Sequence, residues 1–147
     1  MNTVGPAVTL LVGLVAAFIA WQQWALARGK LRLDLFDRRY KVYDATRTFL
    51  VEILTHAKFE DKHLWEFHAG TSDAEFLFGR DVVDYLKEIR ERALDMKMHQ
   101  RIFNPLPVGA ERSQHVDAEH TQLVWLTDQL TKMNNVFSPY LSFATVR

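Results

Sequence analysis

The first 27 residues carry no charged side chain; every Lys, Arg, Asp and Glu of the chain lies from Arg28 onward. Val4 to Ala20 reads VGPAVTLLVGLVAAFIA, followed by Trp21, Gln22, Gln23, Trp24, Ala25, Leu26 and Ala27. A helix needs about 20 apolar residues to cross a hydrocarbon layer about 30 Å thick, and Val4 to about Trp24 meets that need. Pro6 stands near the helix start, where a missing N–H costs little. Trp21 and Trp24 fall at the depth where indoles favour the lipid–water interface. Arg28, Lys30 and Arg32 then stop the run. Two other fates are open to such a segment. A cleavable signal peptide, cut for instance after Ala17, wants a basic leading region that Met1, Asn2 and Thr3 do not supply. A core helix of a soluble protein would show a polar face over this length. The expectation is a membrane anchor and interface over residues 1–29, then a helical domain over 30–147.

The formal net charge of zero conceals three zones. After the uncharged run, residues 28–41 hold six basic groups (Arg28, Lys30, Arg32, Arg38, Arg39, Lys41) against Asp34 and Asp37, and the remainder is mildly acidic. Basic flanks stay on the cytoplasmic side of a span. This places the N-terminus outside and about 120 residues inside, at a bacterial inner membrane. The same basic segment serves topology alone or also meets anionic headgroups, each basic residue contributing up to about 1 kcal/mol at the surface, a contact that the interspersed Asp34 and Asp37 weaken. Neutrality, tethering and the acidic remainder argue against nucleic acid as a partner. With no Cys, disulfides, thiolate metal sites and thiol nucleophiles are excluded.

One face of the span carries small residues: Gly13, Ala16, Ala17 and Ala20, then Trp24. Small residues four apart let membrane helices approach closely, so this stripe is a candidate for self-association into a homo-oligomer.

Residues 30–147 read as helices. Lys30 to about Phe59 holds no Gly or Pro. Phe36, Tyr40, Tyr43, Leu50, Leu54 and Ala57 form one stripe, with Arg47 in the missing position. Leu35, Val42, Thr46, Phe49 and Ile53 form a second beside it, and together they give a wide apolar face. Gly29 is a weak point between span and helix. A short helix follows, capped by Glu60 or Asp61, with Leu64, Trp65 and Phe67 as its face and Gly70 closing it. Ser72 to Glu75 matches a capping box for a turn ending at Gly79. Asp81 then caps a helix from Val82 to about Arg101, whose Val82, Leu86, Ile89, Ala93 and Met96 share a face. Asn104-Pro105-Leu106-Pro107-Val108-Gly109 breaks it. The last helix runs from about Ser113 to Phe137, with Val116, Leu123, Leu126, Leu130, Met133 and Phe137 inward, and Ser138-Pro139 ends it. Tyr140, Leu141 and Phe143 pack back. The expected fold is all-α: one transmembrane helix, then an antiparallel bundle of about three long helices.

Little of the polar complement points to catalysis. The six Gly are too scattered for a phosphate-cradling loop, and no G-x-S-x-G elbow occurs. His63 and His68, like His115 and His120, are five apart and face away from each other on a helix. Glu52 with His56, Asp95 with His99, and Asp117 with His120 are within helical reach, but Glu-x-x-His is absent. His99 and His120 fall about two turns out of level across the proline break. Asp34, Asp37, Asp81 and Asp84 suit helix N-termini. No catalytic residue, cofactor or metal site is expected.

Three runs carry a resemblance: KLRLDLFDRRYKVYDATRTFL (Lys30 to Leu50), EFLFGRDVVDYLKEIRERALDM (Glu75 to Met96) and VFSPYLSF (Val136 to Phe143). Together they resemble small, uncharacterised bacterial membrane proteins with one N-terminal span and a helical cytoplasmic domain. The resemblance implies that topology and transfers no site residues. The functional expectation is a membrane-anchored interaction or regulatory module without catalytic activity, whose partners are the lipid bilayer and a protein of unknown identity. A metal-dependent or enzymatic membrane-tethered sensor, and a self-assembling membrane protein, are the alternatives.

Overall fold

The computed structural model describes residues 4–142, with side chains from residue 11 onward. Five helices follow in order: α1 (Val4–His56), α2 (Asp61–Thr71), α3 (Ala74–Leu77), α4 (Arg80–Phe103) and α5 (Ala110–Leu141). No strand occurs among the described residues. The chain divides into two compact units, one reaching Phe36 and the other starting at Asp37.

In the first unit α1 is unbroken at Gly29, where an added Cβ would meet nothing within 4 Å. Its side chains from Leu11 to Asp34 are exposed. The helix ends at His56 because Ala57 turns into the left-handed region at φ 51°. Its N–H still reaches Ile53 O at 2.8 Å, which satisfies one of the last carbonyls of the helix.

The core lies in the second unit. Val42, Thr46, Phe49, Leu50 and Ile53 of α1 are buried, whereas Tyr40 and Leu54 are 47% and 56% exposed. The buried face therefore centres on the second of the two sequence stripes, and Leu50 alone of the first is fully buried. Thr46 resolves its burial by donating from Oγ1 to Val42 O at 2.8 Å.

In α2 only Phe67 is fully buried, and Trp65 is 70% exposed. The correction is geometric: residues two apart on a helix point about 200° apart, so Trp65 and Phe67 never share a face. Gly70 lies inside α2 rather than closing it, and a Cβ there would stand 2.6 Å from Ala45 Cβ. The bare backbone lets α2 approach α1. The expected Ser72 capping box is also replaced. Asp73 takes the N-cap position of α3 without a side-chain cap, and Ser72 Oγ donates backward to Ala69 O at 3.0 Å. Gly79 precedes α4 as its N-cap instead of closing α3, which ends against Phe78, and Asp81 lies in the first turn of α4.

On α4 the buried residues are Val82, Leu86, Ile89, Ala93 and Met96, the whole stripe read from spacing. Helix α5 begins at Ala110 and continues through Pro139 to Leu141. Pro139 cannot donate to Asn135 O; the Ser138 hydroxyl donates there at 3.3 Å. Beyond it, Arg39 holds the last turn by donating from Nη1 to Tyr140 O at 3.1 Å and from Nε to Leu77 O at 2.9 Å. Tyr140 and Leu141 do pack on the core. Phe143 lies outside the described residues.

Helices α4 and α5 run antiparallel and close together. Tyr85 Oη donates to Gln129 O at 3.2 Å, Arg92 Nη1 to Gln122 Oε1 at 3.2 Å, and Gln100 Nε2 to Glu119 Oε1 at 2.7 Å. The α1 segment meets them through large rings. Phe137 has Tyr43, Phe78 and Tyr85 edge-on at centroid distances of 5.5, 5.4 and 6.3 Å, and Phe49 stacks on Phe67 at 4.8 Å. Such edge-on pairs add to the burial of the rings themselves.

Candidate functional site

The first candidate is the apolar length of α1. It is the single helix among the described residues that is long and apolar enough to cross a membrane, and none of that apolar window is buried. At 1.5 Å per residue, Val4 to Trp24 is about 31 Å long, which matches the hydrocarbon layer. Trp21 is 62% and Trp24 54% exposed. The Arg28 guanidinium lies over the Trp24 ring, 4.0 Å from its centroid. A cation on the face of an indole is a favourable pairing, and here it joins the last interfacial ring to the first basic residue. Lys30 and Arg32 are exposed on the next turns. Gly13, Ala16, Ala17 and Ala20 are exposed too, and a Cβ at Gly13 would meet nothing within 4 Å.

The second candidate is a polar cluster beside the α4–α5 turn. His99 Nδ1 and His115 Nδ1 are 2.9 Å apart. Asp95 Oδ1 lies 3.8 Å from His99 Nε2, and Asp95 Oδ2 accepts from Gln122 Nε2 at 2.8 Å. The His99 side chain is 16% exposed. Sequence reasoning compared His99 with His120 and did not pair it with His115. The signal that could have found the pair was the centre of the proline break. The expected bounds, Arg101 and Ser113, and the observed ones, Phe103 and Ala110, both centre the turn near residue 107, and with the pairs 85–129 and 92–122 they set His115 level with His99.

A third group joins the end of α1 to α2. Glu52 Oε1 lies 3.1 Å from His56 Nδ1 and 3.5 Å from His63 Nδ1. The Glu60 N–H donates to that same His63 nitrogen at 3.3 Å. One ring nitrogen cannot accept from Glu60 and donate to Glu52 at the same time, so these two contacts of His63 exclude each other. Nearby, Asp61 pairs with Lys97 and with Arg101 at 3.5 Å. The hydrogen bond from Lys97 is the main reason its carboxyl sits below the ordinary range.

Two phenols, Tyr140 and Tyr85, tie elements of the fold together. Tyr140 Oη donates to Asp81 Oδ1 at 2.6 Å and accepts from the Gly79 N–H at 3.2 Å. The bond to the Asp81 carboxylate raises the phenol above its usual range. Burial raises that of Tyr85 further. Among the described residues no group of three or more His, Asp and Glu side chains is placed to hold a metal ion. A cleft between α2, α3 and α4, lined by Phe67, His68, Thr71, Glu75, Lys87 and Arg90, measures about 170 Å³. That is below the roughly 300–1,000 Å³ of sites for ordinary small-molecule ligands.

No protein-family model, no curated protein and no solved structure matches this chain.

Proposed function

We propose that this chain is a membrane-anchored helical module that works by interaction or regulation rather than catalysis, at a bacterial inner membrane. The uncharged, unburied length of α1, closed by the Arg28–Trp24 contact, is the observation that carries this reading. Residues 1–29 are its membrane anchor and interface, with Trp21, Trp24, Arg28, Lys30 and Arg32 at the interface. The basic side faces the cytoplasm, together with residues 30–147. Within that part the α1 segment, α4 and α5 act as an antiparallel three-helix bundle, in keeping with the small bacterial membrane proteins whose topology the sequence resembles. The bundle presents exposed apolar residues, among them Trp65 and Phe76, to a protein partner. A reporter that matures only in the cytoplasm, fused behind Arg147, should be active, and an export-dependent one silent. The opposite pattern overturns the orientation. Co-purification from solubilised membranes should return one stable partner, and repeated recovery of the bare chain counts against the interaction role.

The open surface at Gly13 supports a second reading, a homo-oligomer formed through the span. Leu side chains at Gly13 and Ala17 would meet no neighbour within the chain at position 13, yet they would hold a second helix away. The G13L/A17L double variant should lose the crosslinked dimer that the native chain gives in membranes. Unchanged crosslinking would remove this interface.

A further inference from the structure

We propose that His99 and His115 share one proton, and that this pair latches the α4–α5 turn and opens it on acidification. The two Nδ1 atoms are 2.9 Å apart, within hydrogen-bond range. The ring centroids are 5.2 Å apart. This is close to the nitrogen separation plus the two centre-to-vertex distances of an imidazole, so the nitrogens meet head-on. Two imidazoles sharing a metal ion would instead aim their lone pairs at a third point. A head-on contact needs one hydrogen between the rings, and therefore one N–H and one bare nitrogen.

The surroundings decide how many protons the pair accepts. Asp95 Oδ1, 3.8 Å from His99 Nε2, favours a hydrogen on that nitrogen. His99 then accepts from His115 while both rings are neutral. One added proton leaves the N–H···N contact in place, now beside a carboxylate that welcomes the charge. A second sets two N–H groups and two positive charges against each other, and the contact breaks. Charged groups that the packed elements bring toward this end bond elsewhere, Arg112 to the Leu106 carbonyl among them. On α4, Arg92 bonds Gln122 and Glu88; on α5, Glu119 accepts from Gln100; from α2, Asp61 is held by Lys97 and Arg101. The end of α1 contributes the Ala57 carbonyl, also bound by Gln100, at 3.2 Å. The pair joins α4 and α5 about one helical turn from the proline-containing segment between Phe103 and Ala110, with Gln100–Glu119 beside it and Arg112 donating to Leu106 O in the turn at 3.3 Å.

The test uses the full-length chain in detergent micelles. Ring-nitrogen spectra should show one hydrogen held between the two Nδ1 atoms at neutral pH and its loss on acidification past the ordinary imidazole window, because the second proton arrives against a charge already present. Over the same acidification, hydrogen exchange at residues 104–112, corrected for its intrinsic pH dependence, should accelerate roughly tenfold as a hydrogen bond is exchanged for like-charge repulsion. His115→Asn places a neutral amide near the former Nδ1, and should flatten that response while keeping the turn protected. Two bare Nδ1 atoms in the native spectra at neutral pH, or a full pH response in H115N, would overturn the proposal. Should H115N fail to fold, the native spectra decide alone.

Discussion

If the span lies in lipid as proposed, arginine at both Leu14 and Val15 should move the chain from the membrane pellet to the supernatant. These residues sit at the middle of the uncharged run and are 64% and 51% exposed. A charged residue at the centre of a spanning helix costs about 2.5–3.5 kcal/mol. Two together approach about 6 kcal/mol, a change of about 10⁴ in the partition between bilayer and water. The core begins at Val42 and uses no side chain of this run, so the released protein should keep its helical circular dichroism. The measurement is ultracentrifugation after an alkaline carbonate wash, native beside L14R/V15R. A double variant that still pellets with the native chain refutes the membrane assignment, and so does native protein that stays in the supernatant.

Phe137→Ala should be the most damaging single truncation in the second unit. Its ring is 0% exposed and meets Tyr43, Phe78 and Tyr85 from three other segments of the chain. Removing a buried Phe costs about 3–5 kcal/mol because the cavity closes only in part. Natural domains hold about 5–15 kcal/mol in all, so F137A should lose between a fifth and most of the total. Denaturant unfolding followed by circular dichroism measures it. The matched control is Phe76→Ala: that ring is 87% exposed, and a surface change of this kind stays within about 0.5 kcal/mol. Equal midpoints for the two variants would mean that Phe137 does not hold the helices together.

Where one helix face was defined by spacing alone, the sequence was enough. The α4 stripe from Val82 to Met96 needs only the 3.6-residue period and a charged opposite side to be read. On α1, two stripes competed, and spacing could not rank them. The close approach of α2 at Gly70, against Ala45, accompanies the burial of Val42, Phe49 and Ile53. Helix ends were the least legible. Pro139 reads as a terminator, yet the lost backbone donor is replaced by Ser138 Oγ and the turn is held by Arg39, a residue about a hundred positions away. A local rule cannot include a partner so distant in sequence. The level of the histidine pair, by contrast, was legible: a turn centred near residue 107 sets His115 opposite His99 under either set of helix bounds.

Composition and order along the chain thus determined the helical class, the uncharged run and the basic residues that follow it, because these depend on solvent preference and backbone propensity, which act locally. Tertiary structure alone decided which of two α1 faces is buried, how far α5 runs, and how closely the His99 and His115 rings approach. Each of those depends on register between segments far apart in sequence, and register is settled only when large side chains such as Phe49, Phe67 and Phe137 fit against one another in three dimensions.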